Sequence, residues 1–260
     1  MNFLETFGVI IGVGILGGFS AGLLGVFVIG LRMPFIAVFS AHAAMAGAVF
    51  GSLAGLPLSI AGFAGALIGS IFLGLLVRKR DIDPNVALGS LFSLMMGLAF
   101  LGIGISSGPK SELLGLMWGS LLFVSGSQFI IMLLLSIALV LFVFYFEKEL
   151  KLLLFSRELA ALLIPEWTIF TALLIFSAGV ITINLETVGG LLLYSLITNP
   201  AVAALRVART YRSAVILSSV LGIISALGGF ATAYWFNLPI GACTGLFSSG
   251  IVGLAFSLNH

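Results

Sequence analysis

The feature that most constrains this chain is a succession of apolar runs, each long enough to cross a lipid bilayer. A transmembrane helix needs about 20 mostly apolar residues. Cutting the sequence at charges, prolines and polar clusters leaves nine such runs. They cover residues 6–30, 34–54, 58–77, 85–105, 121–146, 167–184, 187–205, 213–236 and 239–257. The pattern predicts an all-α polytopic membrane protein of about nine spans. Only Asn184 and Glu186 interrupt the apolar residues between the sixth and seventh runs, so a total of eight to ten spans is also compatible with the sequence.

The composition supports lipid as the solvent for this chain. Only 8% of residues are charged and 61% are hydrophobic, whereas a soluble domain carries about 25% charged residues. Because no polar segment is long enough for a water-soluble domain, residues 1–260 are interpreted as one transmembrane domain. The single cysteine, Cys243, excludes an intrachain disulfide. No basic residue precedes the first run, which favours a retained span over a cleaved signal peptide.

Basic residues are distributed very unevenly between the two ends of the runs. With the loops assigned alternately to two sides, ten of the 11 lysines and arginines fall on one side. Those are Arg32, Arg78, Lys79, Arg80, Lys148, Lys151, Arg157, Arg206, Arg209 and Arg212, and the other side has Lys110. Since cytoplasmic loops are enriched in lysine and arginine, we predict an external N-terminus and a cytoplasmic C-terminus. The predicted location is the cell membrane, either plasma or inner.

Small residues recur at four-residue spacing in the first three runs. They are Gly14, Gly18 and Gly22, then Ala43, Gly47, Gly51 and Gly55, then Gly62, Ala66, Ser70 and Gly74. Such stripes let helix backbones approach closely in lipid, where no hydrophobic force drives helices together. The pattern therefore predicts close helix–helix packing.

One imidazole, that of His42, lies near the middle of the second run. Ionisable groups at this depth are costly and are usually paired or functional. Two interpretations are open: a hydrogen bond to a neighbouring helix, or a transient metal ligand, since neutral imidazole suits zinc, iron and copper. Met45, one turn further on, would assist only a soft metal. Asn199, beside the helix-interior Pro200, is also polar deep in an apolar run, so a substrate pathway is predicted past His42, Met45 and Asn199.

The charged segment 147–166 contains a short amphipathic pattern. Ser156 is a candidate N-cap, and Pro165 closes the pattern. Leu159, Leu162 and Leu163 fall on one face of the predicted helix. This helix is expected either to rest on lipid at the cytoplasmic surface or to dock a cytosolic partner.

Three stretches of the chain resemble the permease subunits of ABC importers for zinc, manganese and iron. They are Gly25–Met33 leading into Ala41-His42-Ala43 and Gly47; Val188-Gly189-Gly190 followed by Ser195-Leu196, Pro200-Ala201 and Ala208-Arg209-Thr210; and Ser156–Ala160, where such permeases carry the coupling helix. The likeness extends from the first span to the Pro239–Gly241 turn that opens the last.

The resemblance implies a chain that works with other subunits. Family members combine two permeases, two cytosolic ATPases and an external metal-binding protein. The likeness implies that this chain is a transport subunit that binds no cofactor, that ATP binds the partner ATPase, and that His42 matches a histidine of the metal pathway. The residues expected to dock the ATPase are Ser156, Arg157, Glu158, Leu159, Ala160 and Ala161. No nucleic-acid partner is expected, and the chain has no Walker-type phosphate loop.

Two positions depart from the family pattern. Four residues before the histidine the family commonly has Asp, and this chain has Val38. The family's Asp or Asn after the mid-chain aromatic-Gly pair is Ser120 here. These changes remove the carboxylate expected beside His42, which disfavours hard manganese as the substrate.

The sequence therefore predicts the permease subunit of an ATP-driven importer of zinc, manganese or iron. The main alternative is a stand-alone secondary transporter, which usually needs intramembrane carboxylates. Glu5, Glu112 and Glu186 all lie at the ends of predicted runs, which argues against proton coupling. A remote alternative is an intramembrane serine protease that pairs Ser248-Ser249-Gly250 with His42.

Overall fold

The computed structural model describes residues 3–78, 82–106, 126–188 and 190–258, with the side chains of 3–7 and 186–192 left out. Lys79, Arg80, Lys110 and Ser120, which enter the sequence-based predictions, lie outside the described residues. Within those ranges the chain is helical and has no β-strand, which confirms the all-α prediction.

The described helices follow one another with short connections. In chain order they are α1 (Phe3–Gly30), α2 (Ile36–Leu53), α3 (Leu58–Arg78), α4 (Pro84–Ile105), α5 (Gly126–Tyr145), α6 (Glu147–Phe155), α7 (Arg157–Leu163), α8 (Glu166–Val188), α9 (Gly190–Val207), α10 (Tyr211–Phe236) and α11 (Ile240–Ser257). Eight of them, α1 to α5, α8, α10 and α11, are long and apolar enough to cross a membrane. Helix α9 occupies the seventh predicted run, so each of the predicted runs coincides with a long helix.

The predicted boundary between the sixth and seventh runs is wrong by a few residues. The cut was placed at Asn184–Glu186, but α8 continues through Val188. Asn184 is fully buried, and its Nδ2 donates to the Val180 carbonyl oxygen at 2.8 Å, one turn earlier. Because the amide bonds to its own helix, it does not have to mark an exit to water.

The segment after α5 also holds more helix than its charges suggest. Glu147–Phe155 forms α6, within the charged segment where the sequence predicts a helix only from Ser156 onward. Leu150 and Leu153 are buried on one side of it, so α6 lies against the bundle with its charged side chains outward. The three-residue spacing of Leu150 and Leu153 is that of an amphipathic helix, which is the signal that could have predicted α6.

Local capping explains where several helices begin. Asp83 caps α4, since its Oδ1 accepts hydrogen bonds from the backbone N–H groups of Asn85 at 2.8 Å and Val86 at 3.3 Å. Pro84 follows at the first helical position, where a missing N–H costs nothing. Thr210 caps α10 in a reciprocal capping box with Ser213.

The small-residue stripes pack helix against helix, as predicted. A Cβ added at Gly18 of α1 would lie 2.4 Å from the carbonyl oxygen of Gly222 of α10, and one at Gly47 of α2 would lie 2.5 Å from that of Ala61 of α3. Ser218 of α10 donates a hydrogen bond to the carbonyl oxygen of Gly22. These contacts fix α1 on α10 and α2 on α3 at near-minimal separation.

Helix α2 is central and α5 is peripheral. About 72% of the α2 span is buried, compared with 28% of the α5 span. Helix α2 packs on α3, α4, α8 and α9. The helix that carries His42 is therefore the one most enclosed by protein among the described spans.

Candidate functional site

His42 lies inside the bundle, on the face of α2 that meets α4. The chain turns sharply before this helix, with Arg32 in the left-handed region at φ 58°. His42 is 4% exposed, and its ring lies nearly perpendicular to that of Phe92 of α4, with the ring centroids 4.9 Å apart. The imidazole therefore sits between two helices rather than facing lipid.

The tautomer of His42 follows from its hydrogen bond. Nδ1 lies 2.8 Å from the backbone carbonyl oxygen of Val38. A carbonyl oxygen can only accept, so Nδ1 carries a proton, and in the neutral ring the lone pair is then on Nε2. The hydrogen bond seen for Nδ1 goes to the histidine's own helix and not to a neighbouring one, and Nε2 is the nitrogen that could bind a metal.

Met45 continues the same face of α2. It is 3% exposed and packs with Ala46 and with Ala99 of α4, and Met95 of α4 lies against this cluster. His42 and Met45 therefore both contact α4. No group of three or more His, Cys, Asp or Glu side chains that could hold a metal ion occurs within the described ranges.

Asn199 lies on a different helix pair. Its Nδ2 donates to the hydroxyl oxygens of Ser248 at 3.0 Å and Ser249 at 3.1 Å, both on α11. The structure thus brings His42 and Met45 together and places Asn199 in a separate polar cluster between α9 and α11. Sequence reasoning missed these two serines as partners of Asn199, because nothing in the local sequence pairs groups about 50 residues apart.

The serine-protease alternative finds no support in this arrangement. A nucleophilic serine needs its base within hydrogen-bonding reach. Ser248 and Ser249 bond to Asn199 and to the Gly245 carbonyl oxygen, whereas His42 contacts Val38 and Phe92. Among the described contacts, no serine–histidine pair forms.

The short amphipathic helix predicted within segment 147–166 is present as α7. Its N-cap is Ser156, whose Oγ accepts from the Leu159 N–H at 3.3 Å, and Ile164 closes it. Ala160 is fully buried, while Leu162 and Leu163 are 82% and 70% exposed. The leucine face predicted from the sequence therefore points away from the protein, where it can meet either lipid or a partner.

Two contacts hold α7 to the start of α8. Nε of Arg157 donates to Oε1 of Glu166 at 2.5 Å, and its guanidinium lies 4.1 Å from the centre of the Phe170 ring. Arg78 stacks in a similar way over Trp167, 5.2 Å from its ring centre. Arg78, Arg157, Glu166 and Trp167 border a polar cavity of about 530 Å³ beside α7. The cavity and the Arg157–Glu166 pair were not predicted, since Pro165 separates the two residues into different elements.

A second ionic contact ties α6 to α10. Glu147 accepts two hydrogen bonds from Arg212, at 2.9 and 3.0 Å, and Nζ of Lys151 lies 2.5 Å from the same carboxylate. Hydrogen bonds from Arg212 and then Lys151 lower the pKa of Glu147 to about 2. The carboxylate therefore stays ionised across the physiological range.

The sequence was compared with models of known protein families to identify the family of this helical bundle. Residues 4–258 match the model of the ABC 3 transport family. The chain belongs to the ABC 3 transport family. This membership confirms the resemblance seen in the sequence and places the chain among multi-pass membrane transport proteins.

Individual relatives are similar over most of their length. The manganese transport system membrane protein MntC of Listeria monocytogenes is 24% identical over 240 residues, covering 92% of this chain and 85% of that protein. The Haemophilus influenzae protein named "Probable iron transport system membrane protein" is 27% identical over 222 residues, covering 83% and 80%. PsaBC of Streptococcus pneumoniae, solved in complex with Fab, has a TM-score of 0.84 at 23% identity, covering 96% of this chain and 91% of that one. The last likeness concerns the fold.

Proposed function

We propose that this chain is the permease subunit of an ATP-driven importer of divalent transition-metal ions. The observation that carries the proposal is the family match across residues 4–258, together with relatives named for manganese and iron transport. The transported ion is zinc, iron or manganese. ATP is hydrolysed on a separate cytosolic subunit, and two copies of this chain and an external metal-binding protein complete the importer.

The metal is proposed to pass along the face of α2 that carries His42 and Met45. The neutral imidazole with its lone pair on Nε2 supports a transient ligand role for His42. Met45 offers a thioether one turn away. Asn199 lies apart from these two residues, between α9 and α11, and is proposed as a polar group on another part of the pathway. With Val38 in place of a carboxylate, this ligand set suits zinc or iron better than hard manganese.

The ATPase is proposed to dock on α7. The exposed Leu162 and Leu163 supply an apolar surface on the side that the basic residues assign to the cytoplasm. Ser156, Arg157, Glu158, Leu159 and Ala161 are proposed to contact it. Ala160 belongs to the predicted docking set but is fully buried against the bundle, so it is not available for contact. The Arg157–Glu166 pair would then carry movement of the docked helix into α8.

Uptake assays on pathway variants test this proposal. Cells expressing the chain with its ATPase are supplied with labelled zinc, iron or manganese, and uptake is compared for the wild type, His42→Ala and Met45→Leu. His42→Ala is expected to lower uptake at least tenfold for the transported metal. Ser40→Ala, which removes another buried polar group of α2, is the matched control and is expected to retain uptake.

Two results would contradict the proposal. Equal uptake by His42→Ala and the wild type would remove the histidine from the pathway. Uptake that persists after deletion of the ATPase would favour the stand-alone transporter instead.

A further inference from the structure

A long apolar groove runs along the outside of the bundle between α5 and α10. It has a volume of about 510 Å³, and its floor is formed by Phe19 and Leu23 of α1. Val140 and Val143 of α5 form one wall, and Val215 and Ile223 of α10 form the other. Volumes of this size are typical of sites that enclose a small ligand. Since α5 and α10 are both membrane-spanning helices, the groove lies in the hydrocarbon region.

The length of the groove matches one leaflet of the bilayer. Along α10 its lining extends from Arg212 to Ile223. Eleven residues at 1.5 Å each give ~16 Å. Half of a hydrocarbon core of about 30 Å is ~15 Å. A phospholipid with its headgroup at the Arg212 end would therefore stay within one leaflet, with one acyl chain along the rest of the groove.

Charged groups close one end of the groove. Glu147 and Arg212 line it there, and Lys151 also contacts the Glu147 carboxylate. Two cations face one carboxylate that stays ionised, so this end carries one excess positive charge. The side chains of Arg212 and Lys151 are 75% and 46% exposed, which leaves both accessible from the membrane surface. The basic loops assign this end to the cytoplasm.

We propose that this groove binds an anionic phospholipid of the cytoplasmic leaflet. One acyl chain lies along Val140, Val143, Val215 and Ile223, and the phosphate lies beside Lys151 and Arg212. Basic side chains at a cytoplasmic helix end attract anionic headgroups, and each contributes measurably to the preference. The bound lipid would bridge the peripheral helix α5 to α10 beside the Glu147–Arg212 contact.

Lipid titration monitored by native mass spectrometry tests the headgroup preference. The full-length protein is delipidated in detergent and titrated with phosphatidylglycerol or phosphatidylcholine of equal chain length. The wild type is expected to bind phosphatidylglycerol more tightly. Lys151→Gln should weaken phosphatidylglycerol binding about fivefold, and Glu147→Gln should strengthen it by a similar factor. A purely structural role would move both variants in the same direction, and Arg206→Gln is the charge-matched control away from the groove.

A second pair of variants tests the acyl-chain site. Val140→Trp fills the groove and is expected to remove binding of both lipids, whereas Leu141→Trp, on the outward side of the same helix, should leave it intact. Equal affinity for the two lipids, or equal binding by these two variants, would overturn the proposal. So would disulfide cross-linking between two copies of a Val140→Cys, Cys243→Ser variant, because a second copy would then cover the groove. The titration needs neither metal nor ATPase, so its outcome is independent of the transport proposal.

Discussion

At the scale of single residues, several charged side chains join one helix to another. Arg157 shows this, because one guanidinium both donates to Glu166 and stacks on Phe170. Arg157→Lys keeps the charge but loses the flat guanidinium that stacks on the ring. We expect Arg157→Lys to lower the free energy of unfolding by roughly 1 kcal/mol and Arg157→Gln by somewhat more. Thermal unfolding in detergent measures both, with the exposed Arg209→Gln as a control that should change little.

The stability of the folded protein is expected to depend on pH through Glu147. Its pKa in the folded protein is about 2, below the ordinary value of 4.5. A lowered carboxyl pKa gives stability that is fully present above the ordinary value and is lost as the pH falls toward the folded value. The wild type should therefore be more stable than Glu147→Gln at about pH 6, and the difference should shrink by about pH 3. A difference that is equal at both pH values would show that the carboxylate charge contributes nothing.

At the scale of elements, glycine-to-alanine substitutions test how closely neighbouring helices pack. A Cβ at Gly222 of α10 would lie 2.1 Å from the carbonyl oxygen of Gly18, whereas one at Gly250 of α11 meets no atom within 4 Å. Overpacking in a tight interface costs roughly 1–3 kcal/mol. Gly222→Ala should therefore lower the thermal stability clearly, while Gly250→Ala should not. Equal effects of the two substitutions would mean that α1 and α10 are not held at this separation.

The proposed docking of the ATPase on α7 can be tested with a substitution on the exposed face of this helix. Leu162 is 82% exposed and contributes little to the fold of the chain itself. If the ATPase docks here, Leu162→Gln should reduce co-purification of the ATPase several-fold, since buried apolar anchors dominate interfaces. Leu258→Gln, at a similarly exposed leucine after α11, is the matched control. Loss of the ATPase from both variants alike would argue against α7 as the docking helix.

At the scale of the whole molecule, hydropathy predicted the architecture because every span must satisfy its backbone internally. The same rule could not place the Asn184–Glu186 boundary, since a buried asparagine can bond to its own helix. The site was predicted less completely. His42 and Met45 share a face because three residues make almost one helical turn. The bonds from Asn199 to Ser248 and Ser249 depend on which helices are neighbours, and no local pattern specifies that.

Orientation in the membrane is a testable property of the whole chain. Leu238 and Arg209 lie at opposite ends of α10, and both are exposed. In a Cys243→Ser background and right-side-out vesicles, a membrane-impermeant maleimide should label Leu238→Cys directly. It should label Arg209→Cys only after the membrane is opened. The reverse pattern would overturn the orientation inferred from the basic residues.

The central claim is that this bundle carries metal ions inward using ATP hydrolysed elsewhere. The most direct measurement is uptake of labelled zinc, iron and manganese by proteoliposomes that contain this chain and its ATPase, with the external metal-binding protein outside and ATP within. Uptake of at least one metal is expected to require ATP and to stop when the ATPase carries a substitution at its phosphate-binding lysine. Equal uptake with and without ATP would contradict it.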